Sequence, residues 1–155
     1  MQIDVTNFIN LSSDRLLEIL EWRNSASVRR YSLDQKNVSL AEHLDFIERL
    51  KIDRSKAYYR VSLKTKEAFG NGVIHFNNLT AASANIGLYK DERSTLPKTG
   101  TFLMRLLLIE AEQKGLKTIK LKTLKENERA LGLYKKFHFE TAFEEETILY
   151  MQKEI

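Results

Sequence analysis

Apolar positions along the chain switch between a helical period and a strand alternation, and the switches mark its elements. Residues 2–9 read as a strand with Ile3, Val5 and Asn7 on one face. Ser12, Ser13 and Asp14 supply N-cap chemistry for a helix through Asn24, and Ser39-Leu40-Ala41-Glu42 is a capping-box pattern opening a second helix to about residue 51. Tyr58–Leu63 and Val73–Phe76 are β-rich runs on either side of a hairpin at Lys64-Thr65-Lys66-Glu67. Asn85–Lys90 reads as a further strand. Thr101–Lys114 is a strongly apolar helix, and Gly115 suits its C-terminal cap. Leu116–Thr123 alternates as a strand. Asn127 is a strong N-cap, after which Ala130, Leu133, Tyr134 and Phe137 share one helical face. Phe139–Phe143 and Thr147–Met151 form a last hairpin. The predicted order, β-α-α-β-β-β-α-β-α-β-β, belongs to an α+β or mixed α/β fold. Periodicity does not order the strands within the sheet.

Composition narrows the function classes. The 155 residues carry a single proline and no repeat or linker, so one domain over 1–155 is expected. With no cysteine there is no disulfide, no thiolate nucleophile and no thiolate metal site. His43, His75 and His138 have no close metal-ligand spacing, so no metal is expected. Met1-Gln2-Ile3-Asp4 lacks the features of a signal peptide and no apolar run has the length of a membrane span, which leads to an expectation of a cytoplasmic protein without a membrane partner. Lys and Arg outnumber Asp and Glu by 25 to 21, a surplus that suits an anionic small ligand. Lys117, Lys120, Lys122 and Lys125 come closest to a basic face, but acidic residues follow them, and no nucleic-acid partner is expected. There is no Gly-x-Ser-x-Gly elbow, Walker loop or Rossmann fingerprint.

Five blocks stand in order along the chain: Glu21-Trp22-Arg23-Asn24, Glu42-His43-Leu44-Asp45-Phe46-Ile47, Ile86-Gly87-Leu88-Tyr89-Lys90, Gly100-Thr101-Phe102-Leu103-Met104, and Asn127 to Phe139. Together they resemble the GNAT superfamily of acetyl-CoA-dependent N-acetyltransferases. Their combination looks most like the pseudaminic-acid-pathway enzymes that acetylate the 4-amino group of a UDP-linked 4-amino-4,6-dideoxy sugar. The resemblance implies a twisted mixed sheet with helices on both faces. It also implies acetyl-CoA as co-substrate and a small-molecule amine as acceptor, here a nucleotide-linked amino sugar. Trp-Arg-Asn and Glu-His blocks also occur in enzymes that acetylate protein N-termini, which remain an alternative. A non-catalytic acyl-CoA-binding domain is the second class of hypothesis. Oligomeric state is left open.

The family's phosphate loop reads Gln or Arg, two residues, Gly, one residue, Gly or Ala. Thr95, Lys98 and Gly100 occupy those positions, so the leading polar residue and the first glycine are missing and Lys98 offers a charge instead. A helix N-terminus there presents unpaired amides to a pyrophosphate, with Lys98, Thr99, Gly100 and Thr101 as candidates. Gly87 inside a strand marks a bulge or a close backbone approach. In the resemblance the pantetheine arm bonds to the splayed strand, which points to the backbone of Leu88, Tyr89 and Lys90. The resemblance also implies that Asn127 and Tyr134 lie at the cofactor, with Tyr134 the candidate general acid for the departing thiolate. Without cysteine, the simplest chemistry is direct transfer in a ternary complex. His75 is the candidate base or a substrate contact. Lys122 would serve as a base only with a strongly lowered pKa. Arg23 and His43, polar residues on apolar helical stripes, are either satisfied internally or contact the nucleotide diphosphate, and Tyr89 is placed at the sugar.

Overall fold

The computed structural model describes residues 1–155. One seven-stranded sheet runs through it in the order β1-β2-β3-β4-β5-β7-β6. Its strands are β1 (Gln2–Asn7), β2 (Ala57–Lys64), β3 (Phe69–Asn77), β4 (Ser83–Lys90), β5 (Thr118–Leu124), β6 (Glu140–Glu144) and β7 (Ile148–Glu154). The helices are α1 (Ser13–Asn24), α2 (Ala26–Tyr31), α3 (Leu40–Leu50), α4 (Thr99–Gln113) and α5 (Glu128–Lys136). All pairs are antiparallel except β4 with β5. That parallel pair is joined through α4, the crossover that parallel strands require.

Two apolar clusters lie on opposite faces of the sheet. On one face Phe8, Ile19, Trp22, Ile47 and Leu50 from the N-terminal segment, α1 and α3 pack on Val73. On the other, Leu103, Met104, Leu107 and Ala111 of α4 pack on Ile74, Phe76, Ile86 and Ile119, with Leu131, Leu133 and Tyr134 of α5 at the rim. The mixed sheet with helices on both faces is therefore present as expected.

The differences from the sequence reading have local causes. The β1 strand stops at Asn7, whose side chain accepts from the Ile9 amide and caps a one-turn 3-10 helix. As an edge strand it leaves Ile3 54% exposed rather than facing a core. The short α2 helix was not expected: it has no buried residue and hence no apolar period to read. The β3 strand begins four residues earlier than expected because Gly70 and Gly72 are strand positions. A Cβ at Gly70 would fall 2.6 Å from Thr99 Oγ1, and one at Gly72 would fall 2.6 Å from both Leu103 Cδ1 and the Tyr89 carbonyl. These glycines let α4 lie close on the sheet.

The feature that makes a site is the limit of the β4–β5 ladder. Only Ser83, Ala84 and Asn85 pair with Thr118, Ile119 and Lys120. Beyond them β5 stays with β7 to its end, and β4 stays with β3. Ile86–Lys90 thus border a gap. Both α4 and α5 start on the same side, after the C-terminal ends of β4 and β5, where open α/β sheets hold ligands.

Candidate active site

The gap widens into a cleft of about 1890 Å³ whose wall includes Arg23, His43, His75, Leu88, Tyr89, Lys90, Lys98, Thr99, Gly100, Thr101, Asn127 and Tyr134. The residues put forward as catalytic, cofactor-binding or acceptor-binding are therefore brought to one cavity. It exceeds the ~300–1,000 Å³ of a typical small-ligand site, leaving room for two substrates.

The β4 backbone is the first wall. The Asp91 amide donates to the Asn71 carbonyl on β3 at 2.8 Å. By the alternation of an antiparallel ladder, the backbone groups of Tyr89 and Gly87 also face β3, whereas those of Leu88 and Lys90 face the gap. Leu88 and Lys90 are placed for main-chain bonding to a ligand, and Tyr89 contributes its ring instead. Burial pushes the Tyr89 phenol up, so it is un-ionised at neutral pH.

The second wall is the start of α4. Phe102 is the first helical amide with a backbone acceptor, the Lys98 carbonyl at 3.2 Å, and no side chain caps the helix. The amides of Thr99, Gly100 and Thr101 are the orphan donors of a helix N-terminus. Lys98 itself is left-handed, with φ 61° and ψ 31°. It adopts, at the place of the missing glycine, the conformation that glycine favours. Thr95 is not free for a ligand: its hydroxyl accepts from the Phe69 amide at 3.0 Å, and its amide donates to the Phe69 carbonyl at 2.8 Å. The Thr99 hydroxyl is likewise internal, donating to the Leu96 carbonyl at 2.7 Å. A Cβ at Gly100 would meet only Leu133 Cδ2 at 3.8 Å, so the fold leaves room there. Free amides, an open glycine and a cation fit a pyrophosphate.

The third wall is α5. Asn127 accepts from the Ala130 amide at 3.3 Å, which makes it an N-cap, and the residue borders the cleft. Tyr134 packs edge-on against Phe139 with centroids 5.9 Å apart. Desolvation alone raises its phenol to about 12.

The fourth wall is the α1–α3 face. Tyr58, His75 and Gly87 form one cross-strand row. The His75 ring stacks on Tyr58 at 4.7 Å and 10°. Burial, then the Arg23 charge, lower its pKa to about 4. Arg23 Nη2 reaches the Asp34 carbonyl at 3.3 Å, while Nη1 is buried without a partner. His43 is buried and its Nε2 donates to the Leu16 carbonyl at 2.9 Å, tying α3 to α1. Desolvation lowers its pKa, partly offset by that carbonyl. Phe46 stands edge-on to Tyr58 at 4.9 Å. The sequence reading missed Phe46, Tyr58 and Asn77. Asn77 stands two residues past His75 on the same strand face, a spacing that was readable.

Charge is concentrated here. Arg23, Arg49, Lys56, Lys90, Lys98, Lys120, Lys122, Arg129 and Lys136 line the cleft, against Asp34 and Glu42 as the acids. Of these cations only Arg49 makes an ion pair, with Asp45 at 3.1 Å. The cleft thus holds more positive charge than the chain's net surplus of four. No group of three or more His, Cys, Asp or Glu is arranged to hold a metal, and no helix is long and apolar enough to cross a membrane.

The low His75 pKa has a consequence for stability. The unfolded imidazole takes a proton near 6.5 and the folded one only near 4, so acid favours the unfolded chain. The His75 contribution is complete above about 6.5 and is lost as the pH falls through that window, on the order of 3 kcal/mol. Urea midpoints measured from about pH 7 to about pH 4 should fall less in His75→Gln than in the native chain.

Comparison with known proteins agrees with this geometry. The sequence profile of the Acetyltransferase (GNAT) family matches residues 16–139. Acetyltransferase PseH of Campylobacter jejuni strain 81-176 is 33% identical over 149 residues, covering 96% of this chain and 90% of that protein. The crystal structure of Campylobacter jejuni N-acetyltransferase PseH in complex with acetyl coenzyme A superposes with a TM-score of 0.77 at 30% identity, covering 99% of both chains. Spermidine N-acetyltransferase from Vibrio cholerae, solved with CoA and spermine, has a TM-score of 0.81 at 16% identity over 99% of this chain and 95% of that one, a likeness of fold.

Proposed function

This chain belongs to the GNAT acetyltransferase family and is an acetyl-CoA-dependent N-acetyltransferase, and from that premise we propose that its acceptor is the 4-amino group of a UDP-linked 4-amino-4,6-dideoxy sugar. The observation that carries this acceptor is the charge of the cleft. Coenzyme A and a nucleotide sugar each bring a diphosphate, and a wall with this excess of unpaired cations suits two polyanions. The same wall repels a polyamine such as the spermine bound by the Vibrio cholerae relative, despite the shared fold. On the acceptor side, the Arg23 guanidinium, which lines the cleft and whose Nη1 has no protein partner, is matched to a phosphate. His43 contributes by fixing α3 against α1, with its second ring nitrogen left for the nucleotide. Tyr89 and His75 line the sugar end. We place the reaction in the cytoplasm, the compartment that supplies acetyl-CoA.

The chemistry is direct transfer. The neutral amine attacks the thioester carbon, a C–N bond forms, and the tetrahedral oxyanion collapses with cleavage of C–S. The amine's proton leaves to water and the thiolate takes a proton in turn. Tyr134, protonated at all physiological pH, is the donor at the sulfur. Full transfer from a phenol near 12 to a thiolate of ordinary basicity, about 8.5, is uphill, so its help comes as a hydrogen bond that strengthens while charge develops. The acetyl-CoA itself is held by the Leu88 and Lys90 backbone, the Thr99–Thr101 amides, Lys98 and Asn127.

Acetyl-CoA consumption with UDP-4-amino-4,6-dideoxy sugars, spermidine and N-terminal peptides tests the acceptor. The nucleotide sugar should give the highest kcat/KM, and peptides outperforming every nucleotide sugar would install the protein N-terminal reading instead. Gly100→Asp tests the cofactor seat. It sets a carboxylate against the pyrophosphate and should weaken acetyl-CoA binding at least about 10-fold. Its Tm should hold, because the added atoms meet only Leu133 and an acid in the first turn suits the helix dipole. Calorimetry on the variant reads both.

A further inference from the structure

We propose that Asn77 and Tyr58 are positioning residues that hold His75 as a neutral hydrogen-bond donor to the acceptor, with its proton on Nε2, rather than as the base. The inference rests on the amine-acetylation reading above and adds a role to residues outside it.

The hydrogen-bond directions follow from the orientation of the Asn77 carboxamide. The Tyr58 hydroxyl donates to Asn77 Oδ1 at 3.0 Å. The carboxamide nitrogen is then the atom left to meet His75, and it donates to Nδ1 at 3.2 Å. A ring nitrogen that accepts carries no proton, and a neutral imidazole has a single N–H, so that N–H is on Nε2. The ring plane is held as well. It stacks on Tyr58, and its Nε2–Cε1 edge lies over Gly87, where a Cβ would fall 2.4 Å from Nε2 and 2.3 Å from Cε1. Gly87, read from the sequence as a bulge or a close backbone approach, is thus the space that seats this imidazole next to Leu88.

The groups facing the ring favour the neutral form. They are Arg23 from α1, Tyr58 from β2 and Tyr89 from β4, with no carboxylate to hold an imidazolium. A neutral imidazole whose Nδ1 is engaged and whose Nε2 is already protonated has no site for the proton of the amine. It offers one N–H, at the edge of the acceptor pocket. That donor needs a lone pair that is not the nucleophile's, because an amine whose lone pair accepts a hydrogen bond attacks the thioester poorly. The partner is an oxygen of the acceptor, a sugar hydroxyl or a phosphate oxygen. His75 thereby orients the sugar while the amine's proton goes to water.

The test combines a spectroscopic readout with kinetics. Nitrogen-15 NMR of the free enzyme should show His75 as the Nε2–H tautomer, unprotonated throughout the neutral range. That reading needs no acceptor, so its failure is distinct from a wrong choice of acceptor. Asn77→Asp replaces the donor by a carboxylate and should move the proton to Nδ1 and raise the His75 pKa. Its acceptor KM should then be raised about 10-fold at alkaline pH, the loss of about one hydrogen bond. It should recover as acid restores an N–H to both nitrogens, while the native acceptor KM shows no histidine limb. His75→Gln, whose amide donates but is no base, should raise the acceptor KM less than His75→Leu, which should raise it about 10-fold. An Nδ1–H tautomer in the native enzyme, or a loss of about 10²-fold in kcat for His75→Gln, the scale of a missing base, would overturn the proposal. Should Asn77→Asp fail to fold, the native tautomer and the Gln and Leu pair decide it alone.

Discussion

Replacing Tyr134 by phenylalanine is expected to lower kcat on the order of 10²-fold, the scale of a positioned proton donor, while the protein stays folded and binds acetyl-CoA. The expectation has three parts. The ring sits against Phe139 and the α4–α5 side of the core, and phenylalanine keeps that packing. The phenol's pKa is raised by desolvation with no hydrogen-bond contribution, so its removal strands no protein partner. With a pKa near 12, the hydroxyl stays protonated across the working range, and the native kcat should show no Tyr134 limb below about pH 10. Steady-state kcat and KM, read with Tm, separate the outcomes. An undiminished kcat would leave Tyr134 as one member of the apolar stripe with Ala130, Leu133 and Phe137. A large fall in Tm would mean that the hydroxyl secures the core. A pre-steady-state measurement of thiol release shows whether C–S cleavage limits turnover, the condition under which the variant reports on that step.

Much of the architecture was legible because its signals are local. Ser39 and Glu42 do form the capping box that their spacing predicts, and Asn127 does cap α5. The Glu21–Asn24 block turns out to divide its work. Glu21 stands 3.9 Å from Arg93, Trp22 is buried beneath the Arg60 guanidinium, Arg23 enters the cleft, and Asn24 clasps Val38 through two bonds of 2.8 Å. What stayed hidden depends on distant contacts. Gly70 and Gly72 resemble a loop in sequence, and only the approach of Thr99 and Leu103 explains them. Tyr58 reads as one more strand aromatic until register brings it beside His75, and Asn77 gains meaning only from that pair. The departure at Lys98 looked like a loss in the phosphate loop. Its left-handed φ gives Lys98 the backbone conformation that glycine favours, with a cation added.

Arg23→Ala is the substitution expected to separate acceptor from cofactor most widely. The guanidinium makes one weak internal bond, to the Asp34 carbonyl at 3.3 Å, and Nη1 is buried with none. A buried donor left unpaired costs stability, and a charged one costs more. Such a group persists where a ligand completes it, and the cleft it faces carries an excess of positive charge. A charge-assisted bond to a phosphate contributes about 1.5–3 kcal/mol, so the acceptor KM should rise between about 10- and 150-fold. The KM for acetyl-CoA should change less than about threefold, because its diphosphate is assigned to the α4 amides at the other wall. Arg23→Lys should recover only part of the loss, since an ammonium keeps the charge but not the paired donors of a guanidinium. Stability provides the independent readout. Removing an unsatisfied cation should leave Tm unchanged or raise it, whereas an arginine that mainly clasps the Ser32–Val38 loop would lower Tm on truncation and leave both KM values as they were.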